Sequence, residues 1–129
     1  MEGVPVSLDD IEHRILRPIW RDPRIHYAVN CVTVGCPNLQ PLAYGAANAE
    51  RLLSDAARAY INHPRGVRLD DDALVVSSLY VWYADDFGDE GAGVIAHLAR
   101  FAAPALRARL QSARGIADQA YDWALNDAR

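Results

Sequence analysis

The spacing of apolar residues predicts that helices make up most of this chain. The clearest covers residues 46–62, where apolar positions recur at helical spacing in one stripe: Ala49, Leu52, Leu53, Ala56, Ala57 and Tyr60. An earlier helix is predicted from Ser7, an N-cap with Asp10 at the capping-box position, to Pro18, which stops it. Trp20, just beyond that end, is expected to anchor the core. Later apolar groups predict three more helices: Leu79, Trp82 and Tyr83; Val94, Ile95, Leu98 and Phe101; Leu106 and Leu110.

Apolar and polar residues alternate in several short segments, and this period of two predicts a small sheet. Residues 67–69 and 73–76 indicate a hairpin with its turn over residues 70–72. Residues 25–31 also alternate, which predicts a strand, although two poor strand formers within them leave a short helix as the rival. The tail from residue 115 is ambiguous between strand and helix. Together these patterns predict an α+β fold, with about five helices packed on a small, mostly antiparallel sheet.

Size and composition narrow the class of protein. The 129 residues are expected to form a single domain over 1–129, which can bury roughly 70% of its unfolded surface. Hydrophobic residues make up 51% and charged residues 23%, which is typical of a globular protein. A formal net charge of -4 argues against nucleic-acid binding, which requires clustered lysine and arginine. No run of roughly 18 apolar residues is present, so no membrane span is expected.

Both cysteines lie in the stretch "DPRIHYAVNCVTVGCPNL", residues 22–39. Cys31 is the candidate nucleophile of a cysteine enzyme, and His26 is the nearest base in sequence. A regular strand would place these two on opposite faces, so Cys31 would otherwise need a distant partner such as His13, His63, His97 or Asp122. The candidate catalytic residues are therefore Cys31, His26 and Asp122.

Three other interpretations of the cysteines stay open. A zinc site would use His26, Cys31, Cys36 and a fourth ligand, but this spacing departs from the usual zinc knuckle. A disulfide is possible because Gly35 can supply the turn that brings the two Cα atoms within about 7 Å. Otherwise both thiols are free, with Cys31 buried at the end of an alternating run and Cys36 accessible in a loop. No metal or cofactor is assigned.

Three acidic residues near aromatic side chains are further candidates. Asp85 and Asp86 are adjacent, and such pairs are more often solvated or capping than catalytic. Asp122 lies between two large aromatic residues and is expected to be partly buried. It would then need an arginine partner, such as Arg14 or Arg24, in a structural ion pair.

Four sequence motifs occur in a recognisable order: "LDDIEHRILR", "DPRIHYAVNCVTVGCPNL", "SSLYVWYADDFG" and "YDWALND". Together they resemble the domain-of-unknown-function 547 family over nearly the whole chain. Members of that family usually begin well upstream with a helical stretch, so the resemblance implies that this chain is the C-terminal part of a larger family domain. Its bacterial members are often exported, which implies a periplasmic or secreted protein if the N-terminus is truncated. The N-terminal residues carry no signal peptide, so the sequence as it stands predicts a cytoplasmic protein.

Two classes of function follow. A non-catalytic interaction or structural module is favoured, because an enzyme without the family's upstream helices would lack a wall of its cleft. The alternative is a cysteine-dependent hydrolase or acyl-transferase with Cys31 as nucleophile. A missing upstream segment would leave an apolar patch exposed, so the chain is expected to form a homodimer or to bind that segment.

Overall fold

The computed structural model describes residues 3–88 and 91–127 and begins with three successive helical segments: α1 (Leu8–Asp10), a π-helix (Ile11–Leu16) and α2 (Arg17–Trp20). The predicted capping box is confirmed, because Ser7 Oγ accepts the Asp10 N–H at 3.0 Å and the Asp10 carboxylate accepts the Ser7 N–H at 3.0 Å.

Pro18 does not end this helix, which is where the sequence prediction is wrong. In the π-helix the backbone bonds are shifted, so that the Arg17 N–H donates to the Glu12 carbonyl. Pro18 then falls in the first turn of α2, where its missing N–H is tolerated. The helix ends at Arg21, which is left-handed with φ 50°. Continuing the helix turns Trp20 towards solvent, and it is 62% exposed instead of anchoring the core.

The segment Pro23–Tyr27 is a 3-10 helix, so the predicted strand over residues 25–31 is wrong and its helical rival is right. Asp22 caps this helix by accepting the Arg24 N–H at 2.9 Å, and Pro23 occupies the first turn. Three consecutive side chains are buried: Ile25, His26 and Tyr27. A strand would have turned the middle one to the opposite face.

The long helix α3 (Ala49–Ile61) confirms the strongest helical pattern in the sequence. Its buried side chains form one stripe: Leu52, Ala56, Ala57, Tyr60 and Ile61. Arg51 and Asp55 lie on the exposed face and pair with each other at 3.4 Å. The stripe faces the core because that is the only apolar side of an otherwise charged helix.

The sheet contains the predicted hairpin. Strands β1 (Val67–Asp70) and β2 (Ala73–Ser77) pair antiparallel, with Asp71 left-handed in the turn. The tail supplies β3 (Asp118–Ala120), which pairs parallel to β2, so the strand order is β1-β2-β3 and the sheet is mixed. The α+β fold class is thereby confirmed.

Four further helices lie between β2 and β3: α4 (Leu79–Trp82), α5 (Ala84–Phe87), α6 (Ala92–Phe101) and α7 (Pro104–Ser112). They pack with α3 and the hairpin around a core rich in tyrosine, whose largest fully buried side chains include Tyr27, Tyr60 and Tyr80. Trp82 shares helical spacing with the buried Leu79, which would place it in this core, but it is 48% exposed. No helix within the described residues is long and apolar enough to cross a bilayer.

Candidate functional site

Cys31 and Cys36 form a disulfide, with their Cα atoms 6.0 Å apart. Neither cysteine is therefore a free thiol or a zinc ligand in this structure, and no group of three metal-ligating side chains occurs in the described part of the chain. The exposure of the two residues is the reverse of the expectation. Cys36 is 3% exposed, whereas Cys31 lies at the surface. The Cys31 N–H points at Cys36 Sγ, 2.9 Å away.

The disulfide closes a loop, residues 31–36, that holds the C-terminal segment, residues 121–126. Three backbone hydrogen bonds join the two, from Val34 N–H to Ala124, from Gly35 N–H to Asp122 and from Asn126 N–H to Val32, at 2.8–2.9 Å. The Tyr121 hydroxyl lies 3.0 Å from Cys31 Sγ and 2.8 Å from Thr33 Oγ1. Residues 121–126 are therefore held in place by hydrogen bonds to the disulfide loop.

Asp122 lies beside this loop, but it is exposed and does not form the predicted ion pair. Its carboxylate accepts the Ala124 N–H at 2.9 Å. The two arginines suggested as partners are engaged elsewhere, Arg14 with Asp10 and Arg24 with Asp22 and Glu50. The prediction of burial was wrong because the flanking aromatic residues do not enclose Asp122: Tyr121 is half-buried and Trp123 is 68% exposed.

The two aromatic residues that flank Asp122, Tyr121 and Trp123, form a cluster of three rings with Trp82 on α4. Their centroids lie 4.8–5.3 Å apart, and the ring planes are tilted by 38–57°. Trp82 is 48% exposed and Trp123 is 68% exposed, so the cluster presents two indoles to solvent. A shallow groove of about 360 Å³ runs beside it, and its polar side chains include Arg65, Arg68 and Asp122.

His26 belongs to a different site. It is 1% exposed, its Nε2 lies 2.7 Å from Asp86 Oδ2, and its ring stacks on Tyr83 at 4.3 Å. Its Nδ1 is buried, has no hydrogen-bond partner among the residues that the structure describes, and lies 3.9 Å from Glu12 Oε1. The structure thus brings two of the three predicted catalytic residues, Cys31 and Asp122, to one surface and gives His26 other partners.

Arg17 connects His26 to a cleft on the surface. Its Nε donates to Asp86 Oδ2 at 2.6 Å, its Nη1 donates to His13 Nδ1 at 2.9 Å, and its guanidinium lies over the Tyr83 ring at 4.7 Å. The cleft is about 440 Å³ in volume and includes His13, Arg17 and Asp86 in its lining. We call these four residues, His13, Arg17, His26 and Asp86, the charge cluster.

The electrostatics of the charge cluster follow from burial and pairing. Burial lowers the pKa of His26 and outweighs the opposite effect of Asp86, so the imidazole is neutral at pH 7. Burial by itself would raise the pKa of Asp86. The hydrogen bonds from Arg17 and His26 outweigh it and hold the pKa of that carboxyl below its usual value.

Sequence reasoning did not find the charge cluster as a unit. His13 and Arg17 are four residues apart on one helical face, and that spacing was a usable signal. Asp86 was considered only as a member of an acidic pair. No sequence pattern joins it to His26, which is 60 residues away.

The fold and these sites define a small α+β module with a disulfide-supported aromatic surface and a separate, partly buried charge cluster. Residues 1–61 match the family described as a protein of unknown function, DUF547. The resemblance to that family is thereby confirmed over residues 1–61. The match corrects the extent of the resemblance, since it covers the N-terminal part of the chain and does not mark the chain as the C-terminal portion of the family domain. No curated protein and no solved structure matches the chain.

Proposed function

We propose that this chain is a non-catalytic interaction module that binds an extended, proline-rich segment of a partner protein at the aromatic cluster. The observation that carries the proposal is the exposure of two indoles, Trp82 and Trp123, that are in ring contact with Tyr121. Tryptophan and tyrosine are enriched in protein interfaces and dominate their binding energy. Contiguous exposed aromatic surface therefore supports a binding role.

The geometry of the rings favours a polyproline II segment as the ligand. Because the planes are tilted by 38–57°, the rings form a ridged aromatic wall beside the groove rather than one flat platform. Proline-rich segments dock into such aromatic-lined grooves and lose little entropy, since their extended helix is already formed. An indole N–H is a hydrogen-bond donor, and the exposure of Trp82 and Trp123 lets a bound segment present its free carbonyls to them.

A titration with a decaproline peptide, followed by tryptophan fluorescence, tests this proposal. Trp82→Ala and Trp123→Ala should each weaken binding by about tenfold or more, as expected for hot-spot residues. The matched control is Trp20→Ala, which removes an indole on α2 that is 62% exposed, between the values for Trp82 and Trp123. Equal loss in all three variants, or no saturable change in fluorescence with the oxidised wild-type protein, would contradict the proposal.

A cysteine-dependent hydrolase or acyl-transferase remains the second candidate. It is favoured by the surface position of Cys31 and by the Tyr121 hydroxyl 3.0 Å from its sulfur. It requires reduction of the disulfide and a base that reaches Cys31, since His26 bonds Asp86 instead. Hydrolysis of p-nitrophenyl acetate by the reduced protein, lost in Cys31→Ser and kept in Cys36→Ser, would support this candidate.

A further inference from the structure

We propose that the Cys31–Cys36 bond is a thiol–disulfide exchange site, attacked at Cys31, whose reduction releases the C-terminal segment and so dismantles the aromatic cluster. This inference rests on the proposed function, because it gives the regulation of the same surface. Its chemical partner is an external dithiol.

The two sulfurs of the disulfide differ in how accessible they are to an incoming thiolate and in how well each serves as the leaving group. Cys31 is exposed and Cys36 is buried, so an incoming thiolate reaches the Cys31 sulfur. Cys36 is then the leaving group. The Cys31 N–H, 2.9 Å from Cys36 Sγ, is placed to stabilise the thiolate that departs. The asymmetry therefore fixes which sulfur carries the mixed disulfide.

The exchange balances without any further reactant. One thiolate of the dithiol attacks Cys31 Sγ, the bond to Cys36 breaks, and Cys36 leaves as a thiolate that takes a proton from water. The second thiol of the reagent, deprotonated in its turn, attacks the mixed disulfide, closes the reagent into a cyclic disulfide and releases Cys31, which is protonated. Two electrons and two protons pass from the dithiol to the protein.

Opening the loop removes a constraint on an unfavourable backbone. Val32 lies inside the ring closed by the disulfide and has φ 63°, a conformation that a β-branched residue rarely adopts. Its carbonyl accepts the Asn126 N–H at 2.8 Å. Once the ring opens, Val32 is free to return to the β region, which turns this carbonyl away from the C-terminal segment.

The rest of the tail is held independently of the disulfide. β3 pairs with β2, and the Ser78 N–H donates to the Ala120 carbonyl at 3.0 Å. Release is therefore confined to residues beyond Ala120, which carry Tyr121 and Trp123. Trp82 stays on α4, so the three rings separate.

Amide hydrogen exchange on the whole chain tests the release. After reduction with dithiothreitol, the Val34, Gly35 and Asn126 amides should exchange about tenfold faster or more, while the amides of α3 keep their protection. The double variant Cys31→Ser with Cys36→Ser should match the reduced protein. Unchanged protection at the three amides overturns the inference. So does loss of protection throughout α3, which would make the disulfide a staple of the whole fold.

The site of attack is tested separately with glutathione. After brief exposure to reduced glutathione and acid quenching, peptide mapping should find the mixed disulfide on Cys31 in about tenfold excess or more over Cys36. An excess on Cys36 overturns the assignment. If decaproline fails to bind the oxidised protein, the proposed function fails, whereas the exchange of the three amides still decides the release.

Discussion

The Nε2 of His26 lies 2.7 Å from Oδ2 of Asp86, although 60 residues separate them in the chain. The contact joins the 3-10 helix to α5, and the neutral imidazole hydrogen-bonds the same carboxylate oxygen that Arg17 pairs with. Because Arg17 on α2 and His26 on the 3-10 helix both contact Asp86, this carboxylate holds the two segments to α5.

Replacing Asp86 should therefore destabilise the protein more than replacing its neighbour. Asp86→Asn removes the charge that pairs with Arg17 and weakens the acceptor for the His26 ring N–H, and we expect a loss of about 1–3 kcal/mol in the free energy of unfolding. Asp85→Asn changes an exposed carboxylate and should have almost no effect. Urea unfolding of both variants measures the difference. Equal destabilisation would show that the charge cluster contributes nothing specific.

Stability should fall on acidification below about pH 6.5. Burial lowers the pKa of His26 and lowers that of His97 to about 4, so the unfolded chain binds more protons than the folded one between pH 6.5 and 4. Each histidine then contributes a slope of up to about 1.4 kcal/mol per pH unit. Urea unfolding between pH 7.5 and 4.5 measures the slope. His97→Gln should reduce it and the exposed control His63→Gln should keep it, while a slope unchanged by His97→Gln would contradict the assignment.

Gly35→Ala should displace the C-terminal segment. A Cβ at this position would lie 2.9 Å from the Asp122 nitrogen and 3.0 Å from the Tyr121 ring, so one of the two segments must move. We expect altered tryptophan fluorescence and a loss of about 1–3 kcal/mol in the free energy of unfolding. Gly115→Ala is the matched control, since nothing lies within 4 Å of its added carbon. Identical spectra for Gly35→Ala and wild type would refute the close approach.

Tyr60→Phe should weaken the packing of the disulfide loop against the core by removing a hydrogen bond to Gly35. The Tyr60 hydroxyl is buried, donates to the Gly35 carbonyl at 2.6 Å and also lies 2.8 Å from Ser77 Oγ. Its removal leaves both groups short of a partner and should cost about 1–3 kcal/mol. Tyr44→Phe, which changes a more exposed hydroxyl, serves as the control in thermal unfolding. Identical melting temperatures for the two variants would show that the Tyr60 hydroxyl does not support the loop.

Homodimer formation stays a prediction, and the exposed apolar side chains of the N-terminal helix indicate where it would occur. They include Leu8, Ile19 and Trp20. Sedimentation at low micromolar concentration should detect a dimer, and Ile19→Glu should shift it towards monomer by placing a charge in the contact. A wild-type chain that stays monomeric at high concentration would rule out this association.

Local features of the fold were readable from the sequence because they depend on neighbours in the chain. The capping box of Ser7 and Asp10 needs only a spacing of three residues. The apolar stripe of α3 and the β1–β2 hairpin each follow from a short repeating pattern. The resemblance to the DUF547 family rested on local phrases of the same kind, of which the first two fall within the matched residues.

The candidate sites were decided by tertiary structure, because each depends on residues that are far apart in the chain. The Tyr121 hydroxyl meets Cys31 across 90 residues, and no periodicity in either segment encodes that meeting. Trp82 has an apolar side chain at helical spacing, yet α4 turns it towards Trp123 and solvent. Periodicity reports which face of a segment is apolar. What covers that face depends on how the segments pack in three dimensions, and that packing left two indoles exposed and put His26 beside Asp86 instead of Cys31.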